Sequence, residues 1–245
     1  MTTLLYALLF AAVAALANIL GSVIVTSQKW AKQSLRYFMA VGSGFMLGTI
    51  FLEMIPESVK LQSNSPTTPS WPALLLIGYL IVHFFEHTFT EHMHFGEETH
   101  HDEMNPRVGF SALIGMLVHT FFDGVTIGAG FMIGNRVGML LFLAVFLHKI
   151  VDGFTIASIV LSSGQSAARA MGASVLLAIA TLIGVVAVHA AGSANYAMPL
   201  TAGSTLYVAA TDLMPEVNHE TGVKMAFLVF AGMGMFLLLS QIAPG

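Results

Sequence analysis

The sequence predicts an all-α integral membrane protein of eight transmembrane helices, and three observations predict it. Of 245 residues, 56% are hydrophobic and only 9% are charged, against roughly 25% charged in an ordinary soluble domain. So few charges cannot cover a water-facing surface of this size. Long apolar runs recur along the whole chain, and crossing a hydrocarbon core takes about 20 mostly apolar residues. Between the runs stand short polar or Pro/Gly-bearing breaks such as "QSNSPTTPSWP", "IGNR" and "EVNHETGVK". Lipid offers the backbone no hydrogen-bond partner, so each run is read as helix.

The spans are expected at 3–25, 36–58, 71–93, 108–132, 137–161, 167–191, 197–217 and 222–242. Leu4–Val25 has no charge before Lys29. A secretory leader carries its positive charge ahead of the apolar run, so this is a retained first span. The second span ends in "FLEMIPES", and the third starts after a Pro-rich break and runs into a His/Glu-rich stretch. Only "IGNR" separates the fourth from the fifth, which makes them antiparallel neighbours. The sixth lies between "SSGQSAAR" and "AGSANYAMP", the seventh ends in "ATDLMPEVN", and the eighth follows "ETGVK".

Basic residues orient the bundle. Lys29, Lys32, Arg36, Arg107, Arg169 and Lys224 fall in alternate connections, against Lys60 and Arg136 on the other side. Cytoplasmic loops carry the excess, which puts both termini outside. The net charge of −4 and the scattered Lys and Arg exclude a nucleic-acid partner. The absence of cysteine excludes thiolate metal sites. Fifteen Met are read as apolar filler.

The chemistry lies in a repeat. "VHTFFDGVTIGAG" in span four and "LHKIVDGFTIASI" in span five share the pattern H-x-x-x-D-G. Residues four apart share one helix face, one turn apart. His119 with Asp123, and His148 with Asp152, can therefore point at one place near the midplane. Such a mixed N/O set suits first-row divalent metals. Polar helix-helix packing is the plain alternative. However, a charge at the bilayer centre costs about 2.5–3.5 kcal/mol even on lenient scales, and two matched pairs are hard to attribute to packing. Gly124 and Gly153, with Gly128, Gly130 and Gly134, suggest close helix approach. Lys149, beside His148, is expected to pair with Asp123 or Asp152 and to stand where a second cation would be.

A second echo joins "FLEMIPES" to "ATDLMPEVN": both read acid-x-x-Pro-Glu, with Glu53 and Glu57 in one and Asp212 and Glu216 in the other. Similar motifs on spans of opposite direction indicate inverted repeats, a transporter plan. These four acids are pathway candidates. The His/Glu-rich stretch at 94–107 is read as a cytoplasmic loop. His92, His94, His100 and His101, in and just before it, are expected to touch metal weakly.

With "HTFFDG", "HKIVDG", "GSTLYVAATDLMPE", the His-rich loop and eight spans in view, the chain resembles the ZIP (Zrt/Irt-like) divalent metal transporters over essentially its whole length. The resemblance implies one transporter domain over 1–245, with inverted repeats grouped 3+2+3 in a multi-pass protein of the cell membrane. It implies uptake of Zn2+, or of Fe2+, Mn2+ or Cd2+, toward the cytoplasm by alternating access, with the metal as substrate and no cofactor. By motif the ligands are His119, Asp123, His148 and Asp152. Many members have Asn where this chain has Thr120, and an acid where it has Lys149, so one metal with Lys149 beside it fits better than two. Val151 replaces a common Pro, and span six has no acid. Partners are the divalent ion, the bilayer and, compatibly with the sequence, a second copy in a homodimer. The rival is an intramembrane zinc-dependent hydrolase, against which stands the lack of an H-E-x-x-H pair; the chain is expected not to be an enzyme.

Overall fold

The computed structural model describes residues 2–26, 32–66, 69–89, 106–218 and 223–242, and these are almost wholly helical. In chain order the helices are α1 (Thr2–Thr26), α2 (Lys32–Thr49), α3 (Ile55–Asn64), α4 (Trp71–Phe89), α5 (Pro106–Ile133), α6 (Asn135–Ser162), α7 (Ala167–Ala191), α8 (Ala194–Tyr207), α9 (Met214–Asn218) and α10 (Val223–Ile242). Two π-helical segments, Ile50–Met54 and Val208–Leu213, join α2 to α3 and α8 to α9. Counting each joined run as one rod gives eight rods. Among the described residues, six are long and apolar enough to cross a membrane.

Two differences from the sequence-based expectation concern boundaries. The second rod continues past 58 to Asn64. Helix α5 begins at Pro106, so the last two residues of the predicted 94–107 loop are already helical. Proline suits that first turn because its missing N–H has no intrahelical acceptor there. His92, His94, His100 and His101 lie outside the described residues. Gly134 is a third difference: a Cβ there would meet nothing within 4 Å. It makes the turn between α5 and α6 rather than a close helix contact.

The π segments have a local cause. Pro56 and Pro215 have no N–H to give to the carbonyl four residues back, and their rings crowd it. In both places the residue just before the proline bonds five back instead: Ile55 N–H to the Ile50 carbonyl, and Met214 N–H to the Ala209 carbonyl. The extra residue in each turn sets Glu53 and Asp212 off the ordinary helical stripe. Such segments recur at functional sites.

Packing proceeds in pairs. Helix α1 lies on α6, α5 on α7, α2 on α10, and α4 on α8, while α5 and α6 touch at the centre. Within each pair the backbones meet at glycines. A Cβ on Gly124 would strike the Thr181 carbonyl, and one on Gly184 the Phe121 carbonyl. Gly153 stands likewise against Asn18 and Gly21 against Ile150. The α2–α10 pair meets through Gly44 and Gly232, the α4–α8 pair through Gly78 and Gly203. Small residues let helices approach this closely where no hydrophobic force drives them together. The outer faces are apolar, with Leu5, Leu9, Leu16 and Leu20 exposed on α1 and Phe227, Phe230 and Leu238 on α10. A continuous apolar exterior is what a bilayer requires and water penalises.

Candidate metal centre

Gly124 and Gly153 each follow an aspartate directly, so the tight contacts of α5 with α7 and of α6 with α1 fix the backbone at the site. His119 and Asp123 face inward from α5, His148 and Asp152 from α6, and all four are almost fully buried. The structure brings them together: one ligand atom from each lies within 4.8 Å of the others. His119 Nε2 is 3.2 Å from Asp123 Oδ2 and 3.4 Å from Asp152 Oδ2. His148 Nε2 is 3.3 Å and 3.9 Å from the same two oxygens. Ligands held at about 2.0–2.2 Å around a tetrahedral zinc ion stand about 3.3–3.6 Å from one another. Three of the four imidazole–carboxylate separations are close to that range.

The imidazoles are prepared for the task. His148 Nδ1 lies 2.9 Å from the Ala144 carbonyl, which can only accept, so Nδ1 carries the proton. Nε2, on the other side of the ring, faces the carboxylates and lies 3.3 Å from Asp123 Oδ2. His119 Nε2, although close to both carboxylates, makes no hydrogen bond to either. A buried nitrogen left in that state costs free energy unless something fills the place.

Lys149 supplies the charge balance. Its side chain is fully buried, and Nζ lies 2.5 Å from Asp123 Oδ2, 2.9 Å from Asp152 Oδ2 and 3.3 Å from Thr120 Oγ1. An ammonium has three N–H bonds, and three acceptors meet it. The expected partner, one aspartate or the other, is thus both. One ammonium thus stands between the two carboxylates, against the same oxygens that the imidazoles approach.

The pathway acids fall into different surroundings. Glu53, buried on the first π segment, accepts from Arg136 Nη1 at 2.8 Å. Glu57 pairs with exposed Lys60 at 3.2 Å, one turn along α3. Asp212, on the second π segment, joins Glu86 and His119 in another group whose ligand atoms lie within 4.8 Å. His119 Nδ1 is 3.7 Å from Glu86 Oε1. That ring therefore faces the aspartates with one nitrogen and Glu86 with the other. Glu216 lies on α9.

Sequence reasoning did not single out Glu86, Thr120 as a support for Lys149, or Arg136 as the partner of Glu53. Glu86 had a signal, since an acid inside the apolar run "LIVHFFEHTF" is expensive unless it faces a polar centre. The other two are contacts between distant segments, and no local pattern announces them.

Comparison with known proteins gives the family. The family model described as ZIP Zinc transporter matches residues 1–112 and 98–240. Zinc transporter SLC39A7 of Rattus norvegicus is 31% identical over 150 residues, covering 55% of this chain and 32% of that protein. Zinc transporter zipt-7.2 of Caenorhabditis elegans is 28% identical over 153 residues, covering 57% of this chain and 33% of its own. Zinc transporter ZIP10 of Homo sapiens is 31% identical over 136 residues, 54% of this chain and 16% of its own length. The chain thus spans a third or less of these relatives. They are transporters and not enzymes, and the hydrolase alternative finds no support among them. With eight helical rods, an apolar exterior, paired H-x-x-x-D-G motifs meeting at one point and a family match over most of its length, this multi-pass membrane chain belongs to the ZIP zinc transporter family.

Proposed function

We propose that this protein carries zinc ions across the cell membrane toward the cytoplasm, binding one at a time between His119, Asp123, His148 and Asp152. The observation that carries this reading is the set of two imidazole and two carboxylate ligand atoms within 4.8 Å of one another, with imidazole–carboxylate separations of 3.2–3.9 Å. Zinc is preferred because the family description and the relatives' names specify it; His/Asp sites also suit Fe2+, Mn2+ and Cd2+.

The packing supports a mechanism of alternating access by inverted repeats. Let the first, second and third rods exchange with the sixth, seventh and eighth, and the fourth with the fifth. The α1–α6 pair then becomes α7–α5, and the α2–α10 pair becomes α8–α4. The glycine contacts, the two π segments and the two H-x-x-x-D-G motifs exchange with them. That is a 3+2+3 plan, and rocking one set of rods on the other would alternate access to the site. A zinc ion entering past Glu57 and Glu53 exchanges its waters for the central ligands. It leaves by way of the other face of His119 to Glu86 and Asp212, with Glu216 beyond. Lys149 holds the aspartates ionised and in place when no metal is there. The affinity must stay moderate, because a tight site would trap the ion.

Uptake into liposomes containing a zinc-sensitive dye tests the proposal. The wild-type protein is expected to load zinc, and the His119→Ala/Asp152→Ala double variant to show only leak. Undiminished flux through that variant would remove the four residues from the transport site.

A further inference from the structure

Arg136 opens α6 and reaches two other elements at once. Nη1 donates to Glu53 on the π segment at 2.8 Å, while Nη2 and Nε donate to the Ser240 carbonyl near the end of α10 at 3.0 and 3.3 Å. The fork geometry of a guanidinium suits this double hold, and a lysine could not reproduce it. Between Arg136 and His148, α6 presents Leu140, Leu141 and Ala144 to Ile50 and Met54 of the π segment and to Met198 and Ala202 of α8, in one buried apolar cluster. At about 1.5 Å per residue that stretch of α6 is about 18 Å long. The end of the molecule carrying Glu53 is therefore shut twice, by an ion pair and by an apolar layer beneath it.

We infer that Arg136 is a positioning residue for transport: it latches Glu53 to α10 and so keeps the apolar layer closed until a divalent cation competes for the carboxylate. The geometry carries this. Glu53 is the only pathway acid among the described residues that is both buried and held by an arginine, and the π segment that bears it contributes Ile50 and Met54 to the seal. A cation that takes Glu53 releases this side-chain tie from the seal to α6 and α10. The same arrival that binds metal thus loosens the layer above the central site. The path itself rests on the transport reading, but the seal can be measured without transport.

The chain has no cysteine, so Ala144→Cys introduces a single thiol within the apolar layer, one turn from His148. Its reaction with a membrane-impermeant maleimide is followed without metal, in intact cells and in inverted membrane vesicles of an expression host. A latch predicts slow labelling of Ala144→Cys, and labelling faster by at least about tenfold when Arg136→Gln or Glu53→Gln is added, as loss of a charged hydrogen bond implies. The acceleration is expected at one membrane face only, with no further gain when both changes are combined. Lys60→Gln, which removes an exposed charge from α3 but not from Arg136 or Glu53, is expected to leave the metal-free labelling rate unchanged. Added zinc should speed labelling of the parent but not of the Glu53→Gln form. Unchanged labelling in both latch variants, or equal acceleration at the two faces, would overturn the inference even if zinc uptake proceeds as proposed. Should Arg136→Gln fail to fold, Glu53→Gln carries the test alone.

Discussion

At Ile50–Met54 and at Val208–Leu213 the same backbone device appears: a proline forces an i→i+5 turn and an acid sits within it. The acids meet opposite company. Glu53 is buried against the guanidinium of Arg136. Asp212 is half-buried beside a second acid, Glu86, and an imidazole, His119; among the described residues neither acid forms an ion pair with lysine or arginine. One end is therefore paired within the protein by an arginine, while at the other two acids and an imidazole stand together. Matched segments made unequal by their partners are what the proposed alternating mechanism would show in any one of its states. The difference teaches that the acid-x-x-Pro-Glu motif sets geometry, and that distant basic residues decide which copy is available to metal.

The comparison is tested most severely at its midpoint, where Lys149 neutralises what both ends lead to. Replacing it in Lys149→Met leaves two buried carboxylates without their cation, and removing one partner of a buried ion pair costs about 3–5 kcal/mol. The metal-free variant is expected to unfold at a distinctly lower temperature in detergent, and zinc to restore much more stability to it than to the wild type. An unchanged melting curve would mean that the ammonium is not the site's counter-charge. Next in size is the contrast between the ends themselves. Asp212→Asn removes one charged contact for the departing ion, and at about 1.5–3 kcal/mol the expected loss of zinc flux is roughly 10–100-fold. Glu53→Gln removes an acid already committed to Arg136 and is expected to lower flux less. The reverse ranking would exchange the roles assigned to the two ends.

Much of this was legible in the sequence because membrane helices carry few polar residues, and each one stands out. The repeated H-x-x-x-D-G pattern gave the central four residues through helical spacing alone, and the short "IGNR" break made the two helices neighbours. The echo of Glu53 and Asp212 was equally visible. Its consequence in the backbone was not, because a π turn depends on how the chain relieves a proline inside a continuous rod. Arg136 was counted only as a loop charge, since its partners lie 83 and 104 residues away along the chain. Gly134 was assigned to close packing along with its neighbours, although it turns the chain between α5 and α6. Glycine content signals that helices approach, but only the packing says which glycines do it.

The smallest expected effects probe whether the two halves are equivalent. Gly124 and Gly153 hold the aspartates of α5 and α6 against α7 and α1, and in both places a Cβ would collide with backbone rather than with a flexible side chain. Overpacking of this kind costs about 1–3 kcal/mol. Under the repeat plan Gly124→Ala and Gly153→Ala should therefore lower the unfolding temperature by similar amounts and weaken zinc uptake together. Gly172 on α7 is the control: a Cβ there meets nothing within 4 Å, so Gly172→Ala should be neutral or gain up to about 1 kcal/mol from helix propensity. If one aspartate-side glycine tolerates alanine as Gly172 does while the other does not, the contacts on the two sides of the site are not equivalent. The exchange of α1–α6 with α7–α5 then describes shape without describing how the site is held.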